Sequence, residues 1–350
     1  MLKNLIYISI MIILLASCEE FYTPKIDTIE GQLVVDAQIT NDVSQNYVRL
    51  TKTSAFYSTQ QATPVTGAKV ELVQINGNTT TAYESGSGNF YFNSTPIIGK
   101  SYKLRITILQ DIYESDIVVM PPIPSISSLY TEHKVEKQYR TNASGAPMEY
   151  ILEGRQIYVD APVISTLSHY RFASRSVMEW VYTPPEVAGP PPPQVYGWSS
   201  FYYISEFNIA GPKIYSQTGK IEKHPLFSLS YRIADYLQTD TVVQKGWILI
   251  IDQFGTSAGS YDFHAKLNSQ FGADGSLFDP VQTQIFGNIT CKNDASKIVF
   301  GYFDLNSYRQ YRYYVTLGGK LNTSIPRQLL RYPSIPNGGQ TVGFPPSWWE

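Results

Sequence analysis

Residues 31–40 read GQLVVDAQIT, and the reading of this stretch decides the fold. Leu33, Val35, Ala37 and Ile39 alternate with Val34, Asp36 and Gln38. Successive side chains of an extended chain point to opposite faces, so a period of two with one apolar set reads as a strand with one face buried. The alternation recurs at short spacing. Residues 47–52 read YVRLTK, and Val70 and Leu72 alternate with Lys69 and Glu71 behind a turn at Gly67. Phe90 and Phe92 flank Tyr91 behind Gly86-Ser87-Gly88-Asn89, and Tyr102, Leu104, Ile106 and Ile108 alternate with Lys103, Arg105 and Thr107. Short strands punctuated by turns predict a β-sandwich over residues 31–122. Pro121-Pro122-Ile123-Pro124 then marks a semi-rigid boundary, because proline donates nothing to a ladder and stiffens the chain.

Within that segment, the order Pro64-Val65-x-Gly67-Ala68-x-Val70, then Gly88-x-Phe90, then Gly99-x-x-Tyr102-x-Leu104 resembles Ig-like, transthyretin-like or carboxypeptidase-regulatory sandwiches. Such a resemblance implies a spacer or adaptor that carries no chemistry of its own. Residues 123–350 are expected to form a larger β-rich domain, with strands near 156–161, 169–182, 247–253, 297–304 and 312–317. One helix is predicted over 260–271. Ser260 would cap it, Phe263, Leu267 and Phe271 recur at i, i+4 and i+8, and Gly272 would stop it. The fold class expected is therefore all-β, with a single clear helix.

Composition agrees and excludes some functions. Tyr at 27, Phe at 16 and Trp at 5, with 22 Pro and 24 Gly, favour many short strands joined by turns. A net charge of -2 with only 16% charged residues leaves no basic footprint for nucleic acid. The N-terminus supplies an address. Residues 1–18 read MLKNLIYISIMIILLASC, in which Lys3 is the positive n-region and 5–16 is an apolar core. That core is too short to span about 30 Å of hydrocarbon as a mature helix. Small residues before a cysteine suit a lipoprotein peptidase, which cleaves next to a thiol already carrying diacylglycerol. Residues 1–17 are thus expected to be a lipoprotein signal peptide, Cys18 the lipidated residue, and 18–30 a tether. The lipid would hold the chain to a membrane as an anchor, not a span. Glu19 and Glu20 allow two readings, a surface-export signal of the Bacteroidetes type or a solvated tether. The expected location is the outer membrane, facing the cell exterior.

Motifs for chemistry are sparse. His133, His169, His224 and His264 are scattered with no zinc spacing, and Asp274 and Asp279 lack the alternation of a calcium loop, so no metal or cofactor is predicted. Gly255-Thr256-Ser257-Ala258-Gly259 fits the letters of a hydrolase nucleophile elbow. The elbow needs a parallel α/β sheet, whereas the same letters suit a strand-to-helix turn capped by Ser257 or Ser260. A serine hydrolase using Ser257 is kept as an alternative, and no enzyme is expected. The contact candidate is the aromatic run Tyr196, Trp198, Phe201, Tyr202 and Tyr203, which follows a proline-rich projection at 186–194. These rings suit a stacking platform for a ligand or partner. They equally suit strand positions packed in a core.

Later motifs bring a family into view. Gly287-Asn288-Ile289-Thr290-Cys291, then Ile298-Val299-Phe300-Gly301-Tyr302-Phe303, resembles the signature of a large Bacteroidetes lipoprotein family, domain of unknown function 4249. The helix at 261–271, Leu277-Phe278-Asp279-Pro280 and the ending Pro345-Pro346-Ser347-Trp348-Trp349 belong to the same resemblance. It implies an outer-membrane lipoprotein often associated with TonB-dependent transporters, and it implies no catalytic residues. Members tend to carry further cysteines just past the tryptophans. Cys291 therefore has two readings, an inert buried thiol or half of a bridge whose partner lies beyond Glu350. A ligand-binding or accessory lipoprotein of a TonB-dependent transporter is the expected function, with an envelope structural or assembly factor as the alternative.

Overall fold

The computed structural model describes residues 31–54, 61–141, 144–182, 195–212, 220–230, 242–271, 284–316, 321–322 and 341–342. The chain is all-β with one long helix among these residues. Two sheets make the first unit. One runs Val299–Leu305, Leu33–Ile39, Tyr47–Lys52, Asn89–Tyr91, Tyr83–Glu84, with Thr63–Pro64 beside Tyr47–Lys52. The other runs Ile289–Cys291, Asp111–Ser115, Ser101–Ile108, Lys69–Gln74, Thr79–Thr81, with Val118–Val119 beside Ser101–Ile108. The alternation at 31–40 does what it predicts: Leu33, Val35, Ala37 and Ile39 join Val48, Leu50, Phe90, Val70, Leu104 and Ile106 in one core.

The span 31–122 is nevertheless incomplete as a sandwich. Each sheet takes an edge strand from the far end of the chain, Val299–Leu305 in one and Ile289–Cys291 in the other. Val299–Leu305 pairs in parallel with Leu33–Ile39 and contributes Phe303 and Leu305 to the core. Two glycines permit this docking. Gly301 stands opposite Val35 with φ +87°, and a Cβ there would collide with the Val35 carbonyl. A Cβ on Gly287 would collide in turn with the Gly301 carbonyl. Asn288 fixes the approach by acting as a backbone surrogate. Its Oδ1 accepts from Phe303 N at 2.9 Å while its Nδ2 donates to Phe303 O at 3.1 Å.

The second unit has a three-stranded sheet, Ser128–Thr141, Pro147–Ala161 and Ile221–Ser230. It also has a larger sheet in the order Leu321–Asn322, Ser307–Thr316, Val242–Thr256, His169–Tyr182, Val195–Ala210, Thr341–Val342. Ile157, Val159 and Leu226 of the first pack with Tyr170, Phe172, Leu249 and Ile251 of the second. The prolines at 121–124 do not leave the units loosely hinged. Ser307 Oγ donates to Pro122 O at 2.6 Å, Gln253 Nε2 to Ser125 O at 3.1 Å, and Tyr311 Oη accepts from Ile126 N at 3.1 Å.

The helix spans Ala258–Phe271, and its cap is Ser257, whose Oγ accepts from Ser260 N at 3.1 Å. Ser260 is one turn inside. The expected apolar stripe is not the buried face either: Ser260, Tyr261 and His264 are buried, whereas Phe271 is 71% exposed. The helix lies against a polar surface of the sandwich, so its polar residues turn inward. Among the described residues no helix is long and apolar enough to cross a membrane.

Two outcomes follow from this packing. Gly301→Ala and Gly287→Ala each force a Cβ into backbone, and each should cost about 3 kcal/mol or more in a urea unfolding curve. Buried His224 donates from Nε2 to Asn208 Oδ1 at 2.6 Å, and burial pushes its imidazole from the ordinary 6.5 down to about 4. Between those pH values the unfolded chain binds a proton that the folded chain refuses. Stability is therefore full above pH 6.5 and is lost as pH falls towards 4, by about 3 kcal/mol in total. His224→Gln, which keeps a donor and cannot titrate, should flatten that limb of stability against pH.

Candidate functional site

The turn at 255–259 ends the strand Val242–Thr256 and starts the helix, which places Ser257 and Ser260 against the sandwich strand Val299–Leu305. Ser257 hydrogen-bonds the Tyr302 phenol, and the Tyr302 ring stacks on Phe263 at 4.6 Å. Burial pushes the Tyr302 phenol up, and the charge of Asp304 adds to it, so this hydroxyl stays protonated at neutral pH. One residue pair further along, Asp304 takes a hydrogen bond from the Ser260 hydroxyl and sits 2.8 Å from His264 Nε2. Burial pushes the Asp304 carboxyl up. The hydrogen bond and charge of His264, the charge of Arg171 and the Ser260 hydroxyl outweigh it and hold the carboxyl below its usual range.

Arg171 extends this network. Its guanidinium donates to Gln38 Oε1, the residue opposite Asp304 in the parallel ladder, and lies 4.1 Å from the Phe254 ring centre. Tyr47 Oη donates to Asp36 Oδ1 at 3.1 Å on the same face. The outer face of the sandwich sheet is thus polar at Asp36, Gln38, Tyr302 and Asp304, and the second unit covers it with matching groups. The network contains a serine, a histidine and an aspartate but is not arranged as a hydrolase triad. Ser260 and His264 both bond Asp304, not each other, and Ser260 is 1% exposed.

Beside the network a cleft of about 690 Å³ lies between the units. The sandwich supplies a wall of exposed Ile98, Ile117 and Val119 with Asp116, and the second unit supplies Ser168, His169 and Ser257. His169 Nδ1 lies 3.0 Å from Ser168 Oγ, and its ring centre lies 4.9 Å from that of Tyr261. The volume falls in the ordinary range for small-molecule sites. An apolar wall facing hydroxyls and an imidazole suits an amphipathic ligand that is gripped on one side and hydrogen-bonded on the other. Among the described residues no group of three or more His, Cys, Asp or Glu could hold a metal ion.

The residues singled out from sequence fare unevenly. Cys18 and the prolines at 190–193 lie outside the described residues. Tyr196, Trp198, Phe201, Tyr202 and Tyr203 have their backbone on the strand Val195–Ala210, paired with Val181, Glu179, Ser176, Arg175 and Ser174. They belong to a sheet and not to a loop, and their side chains lie outside the described set. Ser257 stands between a strand and a helix as the elbow letters require, yet its strand pairs antiparallel with both neighbours. Its hydroxyl is occupied as a cap. Cys291 is buried, with Sγ 3.2 Å from Asn293 Oδ1. Nothing in the sequence pattern singles out Asp304, His264 and Arg171 as one network. The one available signal was Ser260 and His264 at i and i+4, polar residues on a single helix face.

A family model described as "Domain of unknown function (DUF4249)" matches residues 19–312, well over half of the chain, and the chain belongs to that family. No curated protein and no solved structure gives a significant match.

Ser257→Ala should cost about 1 kcal/mol in thermal or urea unfolding, the usual loss for a helix cap. Asp304→Ala leaves Arg171 and His264 facing a buried gap, so it should cost about 3–5 kcal/mol by the same measurement. A far larger loss for Ser257→Ala than for Asp304→Ala would invert the roles assigned to the two residues.

Proposed function

We propose that this DUF4249 protein is a non-enzymatic outer-membrane lipoprotein, anchored through Cys18 and exposed at the cell surface. In this reading it binds a ligand in the junction cleft and serves as accessory partner to a TonB-dependent transporter. The observation that carries the binding half is the cleft itself, because solvent-facing Ile98, Ile117 and Val119 line a concave site of ligand size. The anchoring half is supported by sequence, through the apolar core that ends at Leu15-Ala16-Ser17-Cys18 and the short tether behind it. More than one acyl chain on a single cysteine gives stable attachment where one chain gives a marginal one. The partnership half is supported by the family resemblance. A protein held at the membrane plane by a short tether is confined near any transporter in the same leaflet, which raises its effective concentration.

Extraction of the tagged chain in mild detergent should co-purify a β-barrel transporter at near-equal stoichiometry, identified by mass spectrometry. Cys18→Ala should move the protein out of the membrane fraction. Ile117→Asp and Val119→Asp place a charge on exposed positions of the cleft wall, so they should abolish ligand uptake or co-purification with the melting temperature unchanged. Recovery of the protein alone, with wild-type uptake in the cleft variants, would remove the transporter reading. Broad loss of many outer-membrane proteins on deletion would favour the assembly factor.

A further inference from the structure

The hairpin joining Ser101–Ile108 to Asp111–Ser115 turns through two residues, Leu109 and Gln110, because Ile108 pairs with Asp111. Leu109 has φ +53° and is 96% exposed. Both facts run against the ordinary demands of such a turn. A left-handed first position favours glycine, because a Cβ there crowds the following carbonyl. An apolar side chain held in water gains nothing to offset that strain. A residue that breaks a local rule with no compensating contact inside the fold directs attention to a contact outside it.

The turn is braced from one side. Asn293 Nδ2 donates to Gln110 O at 2.7 Å, and its Oδ1 accepts from Ile112 N at 3.1 Å. Lys297 Nζ pairs with Asp111 Oδ2 at 2.5 Å, which ties the foot of the turn to the loop before Val299–Leu305. Ile112, on the strand that follows the turn, is exposed as well.

The place of the turn in the sandwich supplies the partner. Beside it lies a recess of about 290 Å³, which takes Gly31, Leu33 and Lys52 from one sheet and Ile108, Leu109 and Asp111 from the other. The described chain begins at Gly31, whose N donates to Thr53 O at 3.1 Å, so the chain enters the sandwich at this pole. Only residues 19–30 separate Cys18 from Gly31, a reach of at most about 45 Å when fully extended. The second unit joins the opposite pole. Leu33 pairs with Val299 at the near end of the parallel ladder, and Ile39 pairs with Leu305 at the far end, where Asn306 leads into Ser307–Thr316. In the other sheet Lys69 faces Thr107 near the turn, whereas Val119 faces Ser101 at the end that walls the junction cleft.

We propose that this pole, with Leu109 at its tip, is a membrane-contact face that seats on the bilayer holding the chain's own anchor. The proposal rests on the reading of Cys18 as the lipidated residue. The lipid already supplies attachment, so the tip has only to bias orientation. One leucine entering the boundary between headgroups and acyl chains biases it about tenfold. Charge around the tip is mixed, with Lys52, Lys292 and Lys297 near Asp111 and Asp294, so apolar contact and not charge draws the face to lipid. Seated in this way, the sandwich stands between the bilayer and the second unit, and the junction cleft lies at its end remote from lipid.

Site-specific labelling in vesicles tests the assignment. Gln110→Cys and Asn78→Cys place an environment-sensitive fluorophore at exposed positions beside the tip and at the opposite end of the same sheet. Cys291 is buried and Cys18 carries lipid in this reading, so neither takes the label. The full chain is extracted in detergent and reconstituted in phosphatidylcholine vesicles that contain spin-labelled lipid. The label at 110 should be quenched several-fold more than the label at 78, to the same degree with and without anionic lipid. Leu109→Asp in the 110-labelled chain should reduce the contacting population about tenfold. Leu109→Gly should reduce it too, yet leave the melting temperature unchanged or raised, because glycine relieves the left-handed strain. A chain that floats with the vesicles while its 110 label stays unquenched, or quenching untouched by both Leu109 variants, overturns the membrane face and leaves the anchor standing. A chain that fails to float removes the anchor and the face with it. A 110 label shielded without quenching, in a chain that crosslinks to itself, assigns the tip to a second copy and likewise overturns the proposal.

Discussion

The structure depends on one stretch of chain that serves both units. Val299–Leu305 completes the sandwich by parallel pairing, and after Asn306 the same run continues as Ser307–Thr316 in the larger sheet of the second unit. Backbone continuity across that single residue fixes the offset of the units. Two asparagines secure the crossing from the sides. Asn288 holds Phe303, and Asn41 holds the backbone of Tyr308 through Oδ1 at 2.6 Å and Nδ2 at 3.1 Å. Because Leu33 pairs with Val299, the first described strand cannot find this neighbour until the chain near residue 300 exists. Such long-range pairing must overcome its loop-closure entropy before any contact rewards it, so slow, cooperative closure of the sandwich follows from topology.

The junction built on that strand is polar, and this needs a reason beyond stability. Burying Asp304 and His264 and half-burying Arg171 costs desolvation, which apolar residues of equal volume would avoid. What polar groups supply is direction. A hydrophobic face tolerates sliding, whereas Asp304 accepts from Ser260 and His264 only at one helix register, and Gln38 meets Arg171 only at one sheet register. The helix carries little apolar surface inward, with only Tyr261 as a large buried ring. Its position is therefore set by hydrogen bonds. A one-residue slip would strand every member of the network in a buried site with no partner.

That choice also explains what sequence could and could not convey. Alternation locates Tyr47–Lys52 to the residue, because Val48 and Leu50 meet a core and Tyr47, Arg49 and Thr51 do not. The helix is legible as a helix but not in its orientation. Phe263, Leu267 and Phe271 look like an inward stripe, and Ser260 and His264 look solvated, since a polar residue facing a buried polar partner has the same letters as one facing water. The strands Val195–Ala210 and Ile221–Ser230 escape the period-two reading because serine, glycine and proline interrupt them, and Ser128–Thr141 escapes it because polar and charged residues stand on both of its faces. The span of the sandwich escapes for a different reason. Nothing local in 297–304 states that it pairs with residues near 35, and the letters at Gly287 and Gly301 do not disclose the close backbone approach that they permit. The candidate sites inherit both blind spots, since neither the junction cleft nor the pole at Leu109 exists within one continuous segment.

The junction cleft and a second cavity, of about 730 Å³ between residues 41–45 and the strands His169–Tyr182 and Ser307–Thr316, both touch the shared run of chain, and each takes its walls from both units. A ligand in either one touches sandwich and second unit together, so it binds the assembled junction and not the separated halves. By mass action such a ligand stabilises the junction in proportion to the logarithm of its concentration over its dissociation constant. Occupancy of one cavity then favours the arrangement that forms the other, provided the junction has a measurable population of looser states. The polar network makes that population small, because loosening it exposes Asp304 and Arg171 to incomplete solvation before water can fully enter. Coupling between the cavities is therefore weak in the intact junction. It should become visible only when the network is thinned, because Asp304 is the group on which the helix and the sandwich strand meet.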